Sequence, residues 1–125
     1  MGRENKDIGQ SGEKAAAEFL KRKGYKIVGS NLRTPFGELD LIARQGKYLV
    51  FVEVKSRSTD SLGPPSLSVT WRKKERIVRN ALWYLAGRGR AHSYWRIDVV
   101  SVKLSASREV ERIEVIENAV EDDGY

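Results

Sequence analysis

Four charged side chains occupy alternating positions in two neighbouring segments of the sequence, which are Glu38 and Asp40, then Glu53 and Lys55. In a β-strand, residues two apart point to the same face. Both segments have strand patterns and are separated by a short Gln45-Gly46 turn, so we expect a hairpin with strands about 5 Å apart. If the register aligns the two pairs on one face, the four side chains converge at one end of the sheet.

Two carboxylates beside an ammonium group are suited to metal-dependent hydrolysis. Burying them next to the apolar neighbours of Glu53 is costly unless a ligand compensates. Mg²⁺ prefers hard oxygen ligands and takes one or two carboxylates while keeping several waters. Lys55 could then orient an attacking water or neutralise the charge that develops on a phosphate. The alternative is a structural salt bridge of Asp40 or Glu53 with Lys55 at a strand end.

Apolar periodicity predicts the elements that must position these side chains. Ser11 is a candidate N-cap, Gly24 has the position of a C-terminal helix cap, and Pro35 with Gly37 indicates a turn. The segment from Ser58 to Ser68 is predicted to be a loop. In chain order, we expect a helix from about Gly12 to Lys23, an extended segment from Tyr25 to Val28, strands at 37–44 and 47–57, a helix from about Thr70 to Ala86, and strands at 94–103 and 110–118.

The strand patterns also predict faces and an α/β fold class. In the first hairpin strand, we expect one face to carry Leu39, Leu41 and Ala43, and the other to carry Glu38, Asp40 and Ile42. The second hairpin strand is apolar on both faces, which is typical of a strand inside a sheet. The strand at 110–118 is more amphipathic and is predicted at an edge. A single domain over residues 1–125 accounts for every element, with a core at about 10–118 and a frayed acidic tail at 119–125.

Composition excludes several kinds of site. The 125 residues are 40% hydrophobic and include no cysteine, so disulfides, thiolate zinc sites and cysteine nucleophiles are excluded. No apolar run approaches the length of a membrane span, and the N-terminal ten residues lack the apolar core of a signal peptide. We therefore expect a protein of the cytoplasm that does not enter the membrane.

Charge is distributed unevenly along the chain. The net charge is +6, yet residues 109–125 contain seven acidic side chains and one basic side chain, so residues 1–108 carry +12. A basic body favours a polyanionic partner such as DNA, although a basic soluble protein without such a partner has the same composition. The candidate contacts to nucleic acid are Arg33, Arg57 and Arg72.

A wider set of motifs surrounds the hairpin. The segment GELDLIARQGKYLVFVEVKSR resembles the PD-(D/E)XK nuclease signature, with Leu39 in place of the proline before Asp40. Together with SGEKAAAEFLKRKGY, NLRTPFGELDLIA, VTWRKKERI and WRIDVV, it is similar to the YraN family of uncharacterised bacterial proteins. That family is in turn similar to archaeal Holliday junction resolvases, and the resemblance covers about residues 10–102.

The resemblance implies a restriction-endonuclease-like mixed central sheet flanked by helices. It implies Mg²⁺ or Mn²⁺ bound by Asp40, Glu53 and the backbone carbonyl of Val54, with Lys55 as a catalytic residue. Glu13 on the first helix matches a further catalytic glutamate of the resolvase-like branch. From its own surroundings, Glu13 could equally be a solvated helix residue.

Three accessory positions have two interpretations each. Glu38 is either a second acid of the site or a residue at its rim. The resemblance favours Lys73 as the functional lysine of the second helix, whereas the apolar stripe places Lys74 on the buried face. Asp98 is either part of a site or, as we favour, a structural residue that hydrogen-bonds Arg96 or a neighbouring loop.

These features predict a metal-dependent endonuclease that hydrolyses DNA, with branched DNA as a candidate substrate. One alternative is a DNA-binding module that has a nuclease fold but does not cleave. Another is an adaptor protein that uses its basic body and acidic tail for protein contacts. Nucleases that cut two strands often act as dimers, so a homodimer is compatible with the prediction.

Overall fold

The computed structural model describes residues 2–58, 71–88 and 94–117. Most of the predicted loop at 58–68 and the acidic tail at 119–125 lie outside these ranges. The elements in chain order are α1 Gly2–Arg22, β1 Lys26–Thr34, β2 Gly37–Gln45, β3 Tyr48–Ser58, α2 Trp71–Gly87, β4 Trp95–Leu104 and β5 Val110–Ile116. No helix within the described ranges is both long and apolar enough to cross a membrane.

The strands form one mixed sheet in the order β1-β2-β3-β4-β5. β2 pairs antiparallel with both β1 and β3, which confirms the predicted hairpin. β3 and β4 run parallel, and α2 belongs to the crossover that a parallel pair requires. β5 pairs antiparallel with β4 and lies at the edge, as its amphipathic pattern predicted.

Helices cover both faces of the sheet. Ala16 and Leu20 of α1 pack on one face with Val50 and Val52, whereas the neighbouring Phe51 belongs to the core beneath α2. Because successive strand residues alternate between faces, β3 is apolar at every position of its buried run from Leu49 to Val52. The α2 side of the core contains the helix residues Ile77, Val78, Ala81 and Leu85.

The start of the first helix was predicted incorrectly. α1 begins at Gly2, so Ser11 lies inside the helix and is not its N-cap. Ile8 packs against the α1 side of the core, and with Ala16 and Leu20 it extends the four-residue stripe upstream through Gly12. Because Ile8 packs on the core, the helix is stabilised upstream of Ser11, the residue that was predicted to cap it.

The end of α1 was predicted correctly. Gly24 has a φ of +93°, a left-handed conformation that glycine adopts without a steric penalty. The N–H of Tyr25 donates to the carbonyl of Leu20 at 2.9 Å, which satisfies one of the last carbonyls of the helix. The chain therefore reverses directly from α1 into β1.

A buried polar network joins the end of α1 to β4. Asp98 is fully buried and accepts hydrogen bonds from Arg96 Nε at 3.0 Å and from the Tyr25 hydroxyl at 3.1 Å. A terminal nitrogen of Arg96 donates to the Tyr25 hydroxyl at 2.9 Å and also contacts Gln45 Oε1. Burial, together with the Asp98 charge, raises the pKa of Tyr25 to about 12. Of the two partners expected for Asp98, Arg96 or a neighbouring loop, the structure shows Arg96.

Candidate active site

Three carboxylates from two elements lie together at one end of the sheet. Glu13 of α1 and Glu38 and Asp40 of β2 each place one carboxylate oxygen within 4.8 Å of the others. Glu13 and Asp40 are half-buried, whereas Glu38 is exposed. Glu13 therefore faces the other acids, and Glu38 occupies the rim of the cluster.

Asp40 lies where the ladder between β2 and β3 ends. The last residue pair of that ladder is Leu41 with Val52, and Asp40 precedes Leu41 in β2. Its Oδ2 accepts a hydrogen bond from the backbone N–H of Val54 at 2.8 Å. The side chain of Asp40 thus satisfies a donor on β3 beyond the last backbone pair.

The predicted alternation of β2 fails at this position. Leu39 packs in the α2 side of the core with Ile42, whereas Leu41 and Ala43 pack on the α1 side. Strict alternation would have placed Leu39 with Leu41. The face changes around Asp40, where the strand loses its β3 partner, and this change explains how Asp40 can approach Glu13 on α1.

Opposite this irregularity, β1 contains Asn31 with a φ of +49°. Its neighbours Ser30 and Leu32 pair with Leu41 and Leu39 of β2, so Asn31 lies beside Asp40 in the sheet. Its side chain hydrogen-bonds Glu13 and acts to lower the pKa of that acid. Sequence reasoning missed Asn31; the only signal was an asparagine, a residue that tolerates left-handed backbone, within a strand pattern.

Glu53 faces α2 and is not part of the tight carboxylate cluster. Its side chain is 14% exposed, and its Oε1 lies 3.9 Å from a terminal nitrogen of Arg76. Burial raises the pKa of Glu53 to about 7, with a further contribution from the Asp40 charge, despite the opposing effects of Arg76, Lys73 and Lys55. The predicted acids therefore interact electrostatically, but the structure groups Asp40 most tightly with Glu13 and Glu38.

The pKa values of Asp40 and Glu13 are also raised. Burial raises the pKa of Asp40, and the Glu38 charge adds to this effect. Burial also raises the pKa of Glu13, with a further contribution from Asp40. Desolvated carboxylates that repel one another favour either protons or a cation.

Two lysines lie close to these acids. Burial lowers the pKa of Lys55, the nearby Lys73 charge lowers it further, and Glu53 opposes both effects. The Lys73 charge also lowers the pKa of Asp40 and of Glu53. Of the two α2 lysines considered from the sequence, Lys73 is thus the one whose charge acts on the acids.

A cavity of about 370 Å³ opens beside the cluster, between α1 and the end of β3. Arg57 borders it, whereas Arg72 lies on the exposed surface of α2 and Arg33 pairs with Glu38 in the sheet. The cavity combines acidic side chains with a cation at its edge, which suits a phosphate and a metal together. Its lining residues are Ile8, Gly9, Glu13, Asp40, Val54, Ser56, Arg57 and Ser58.

Gly12 permits the close approach that brings Glu13 to the site. A Cβ at Gly12 would lie 1.7 Å from Ser56 Oγ and 2.6 Å from Ser56 Cβ. Gly12→Ala is expected to destabilise the protein by about 1–2 kcal/mol, because overpacking outweighs the gain in helix propensity. Gly9→Ala is the control, since nothing lies within 4 Å of its Cβ, and it should stabilise. Urea unfolding measures the stability of both variants. Adding Ser56→Gly to Gly12→Ala should restore part of the lost stability, because it removes the colliding side chain. If Gly12→Ala and Gly9→Ala changed stability equally, this packing would be contradicted.

The ionisation of Glu53 should reduce stability as pH rises. Its folded pKa of about 7 exceeds the ordinary 4.5, so the folded state binds more protons than the unfolded state between these values. Stability is consequently lost as pH rises through this window. In EDTA, the free energy of unfolding of Glu53→Gln should exceed that of wild type by about 3 kcal/mol at pH 8 and by about 1 kcal/mol at pH 5. Urea unfolding at both pH values measures this, and a pH-independent difference would contradict it.

The mixed five-stranded sheet with helices on both faces defines an α/β protein, and its arrangement is consistent with the restriction-endonuclease-like fold that the resemblance implied. A family model described as "Uncharacterised protein family UPF0102" matches residues 12–102. The chain belongs to this family, which is the YraN family, so the family prediction is confirmed.

Relatives align over most of the chain. The UPF0102 protein of Desulfosudis oleivorans is 50% identical over 100 residues, which cover 80% of this chain and 81% of the relative. Those of Moorella thermoacetica and Clostridium acetobutylicum are 46% and 43% identical, covering 89% and 95% of this chain and 92% and 98% of theirs. These names state a family and no activity.

Proposed function

We propose that this protein is a divalent-metal-dependent endonuclease that hydrolyses phosphodiester bonds in DNA. The observation that carries the proposal is the meeting of Glu13, Glu38 and Asp40 beside Glu53, at the end of β3 that also carries Lys55. An isolated salt bridge would need only one acid and one base. Here several desolvated carboxylates adjoin one another, and a cavity bordered by Arg57 lies beside them.

The donor set fits Mg²⁺ or Mn²⁺. Carboxylate oxygens are hard ligands that these ions prefer, and the cluster contains neither histidine nor thiolate. Asp40 and Glu53 are the proposed ligands, together with the backbone carbonyl of Val54, and Glu13 and Glu38 can bind the ion directly or through water. The raised pKa values of Glu13, Asp40 and Glu53 support this assignment, because a cation would offset both the burial and the mutual repulsion.

When bound, the ion would supply an activated water and stabilise negative charge on the reacting phosphate. The chain's own residues have the remaining tasks. Lys55 orients the water or neutralises developing charge, and Lys73 adds a second cation near the same acids. Glu13 borders the cavity and is placed to accept a proton, while Arg57 holds a substrate phosphate.

The test combines cleavage with metal binding. Labelled junction, flap, single-stranded and duplex DNA should be cut in Mn²⁺ or Mg²⁺ but not in EDTA. The Asp40→Asn, Glu53→Gln double variant should lose cleavage and calorimetric Mn²⁺ binding while remaining folded. Glu18→Gln is the control, because Glu18 is exposed on α1 and does not belong to the carboxylate cluster.

Two outcomes would overturn the proposal. Equal Mn²⁺ binding by wild type and the double variant would remove the metal site. DNA binding by wild type without cleavage of any substrate would instead favour a binding module that has a nuclease fold.

A further inference from the structure

An exposed aromatic ring is held at the turn between β1 and β2. Phe36 is 42% exposed, and its backbone N–H donates to Thr34 Oγ1 at 3.0 Å. The hydroxyl of Thr34 in turn contacts Asn80 Oδ1 on α2. These contacts hold the turn against α2, so the exposed ring of Phe36 is attached to an ordered backbone.

The exposed side of α2 combines arginines with a second aromatic residue. Spacings of four, three and four residues place Arg72, Arg76, Arg79 and Trp83 on one side of the helix, opposite the buried stripe. Trp83 is 39% exposed. We call this side, together with the Phe36 turn, the arginine face. Its stripe along α2 is about 16 Å long at the rise of an α-helix.

The arginine face is continuous with the active site. The Arg79 guanidinium lies 5.9 Å from the centre of the Phe36 ring, and a pocket is lined by Phe36, Arg72, Glu75, Arg76 and Arg79. A Cβ at Gly37 would be 3.4 Å from Arg76 Cδ, so the stem of Arg76 packs against the turn. The head of Arg76 lies 3.9 Å from Glu53. A chain bound along this face would therefore arrive beside the acids.

We propose, as an extension that rests on the nuclease function above, that the arginine face binds an unpaired strand of DNA leading to the reacting phosphate. Three arginines match a phosphate backbone in charge, although Glu75 neutralises part of Arg79 through a 2.9 Å ion pair. The rings of Phe36 and Trp83 are stacking platforms for bases. In a paired duplex the base faces are covered by their neighbours, so ring stacking selects single-stranded DNA.

Binding can be measured without cleavage. Fluorescence anisotropy with a labelled single-stranded oligonucleotide and with a perfectly paired duplex, both in EDTA and low salt, gives the two affinities. Phe36→Ala and Trp83→Ala should each weaken single-strand binding by about tenfold, the scale of losing one base–aromatic contact, and should leave duplex binding unchanged. Phe36→Trp should keep the affinity. Tyr94→Ala is the control, because Tyr94 is 59% exposed beside the start of β3, at the end away from the site.

Each outcome decides the inference separately from the nuclease proposal. Unchanged single-strand affinity in both alanine variants, or equal losses for single strand and duplex, would overturn it. A loss in Tyr94→Ala as large as that in Phe36→Ala would also overturn it. If the arginine face selects single strands while wild type cleaves nothing in Mn²⁺, the single-strand binding surface stands and the nuclease proposal fails. If wild type cleaves DNA but both alanine variants bind the single strand normally, the nuclease proposal stands and the inference about the arginine face fails.

Discussion

Replacing Lys55 with alanine is expected to lower the single-turnover rate of DNA cleavage by about 10²-fold or more, the scale of losing one electrostatic stabiliser. Lys55 shares a strand face with Glu53, and the Glu53 charge acts on its pKa. In the proposed reaction its ammonium compensates charge that grows on the phosphate. Because Lys55 is not a proposed metal ligand, Mn²⁺ affinity should change little.

Two further variants separate charge from packing. Lys55→Met retains most of the side-chain bulk and should be as inactive as Lys55→Ala. Lys74→Met is the matched control, since Lys74 is a half-buried α2 lysine whose charge is not among those acting on Asp40 or Glu53. Single-turnover assays on branched DNA in Mn²⁺, with Mn²⁺ calorimetry in parallel, measure both effects. Equal cleavage rates for wild type and both Lys55 variants would assign the activity to another site or to a contaminant.

Removing the carboxylate of Asp98 is expected to destabilise the protein by about 3–5 kcal/mol. Asp98 is fully buried and accepts hydrogen bonds from Arg96 and Tyr25. Asp98→Ala would leave the guanidinium of Arg96, whose side chain is 13% exposed, without its compensating charge. Burial of an uncompensated charge costs more than the loss of a surface ion pair.

The role of Asp98 can be isolated by urea unfolding of three variants. Asp98→Asn keeps an acceptor and most of the volume, so its loss should be smaller than that of Asp98→Ala. Arg96→Met combined with Asp98→Ala should be less destabilising than the sum of the single variants, because no lone charge remains. Additive losses would mean that the two groups are independent, contrary to their 3.0 Å contact.

Local features of the sequence determined much of this protein. The β2–β3 hairpin follows from two strand patterns around Gln45-Gly46, and the end of α1 follows from the left-handed preference of Gly24. The placement of Asp40, Glu53 and Lys55 on the two strands of one hairpin could also be predicted, because all three lie close together along the chain. Such predictions succeed because they depend on residues that are neighbours along the chain.

Long-range packing decided the rest. Glu13 reaches Asp40 only because Gly12 has no side chain to collide with Ser56, a residue far away in sequence. The change of face in β2 occurs where Asp40 leaves its β3 partner, and strict alternation cannot represent such a break. The contact of Arg76 with Glu53 depends on how α2 lies across the sheet. Periodicity reports which side of an element is apolar, but the docking of the helices on the sheet determines which charged groups meet.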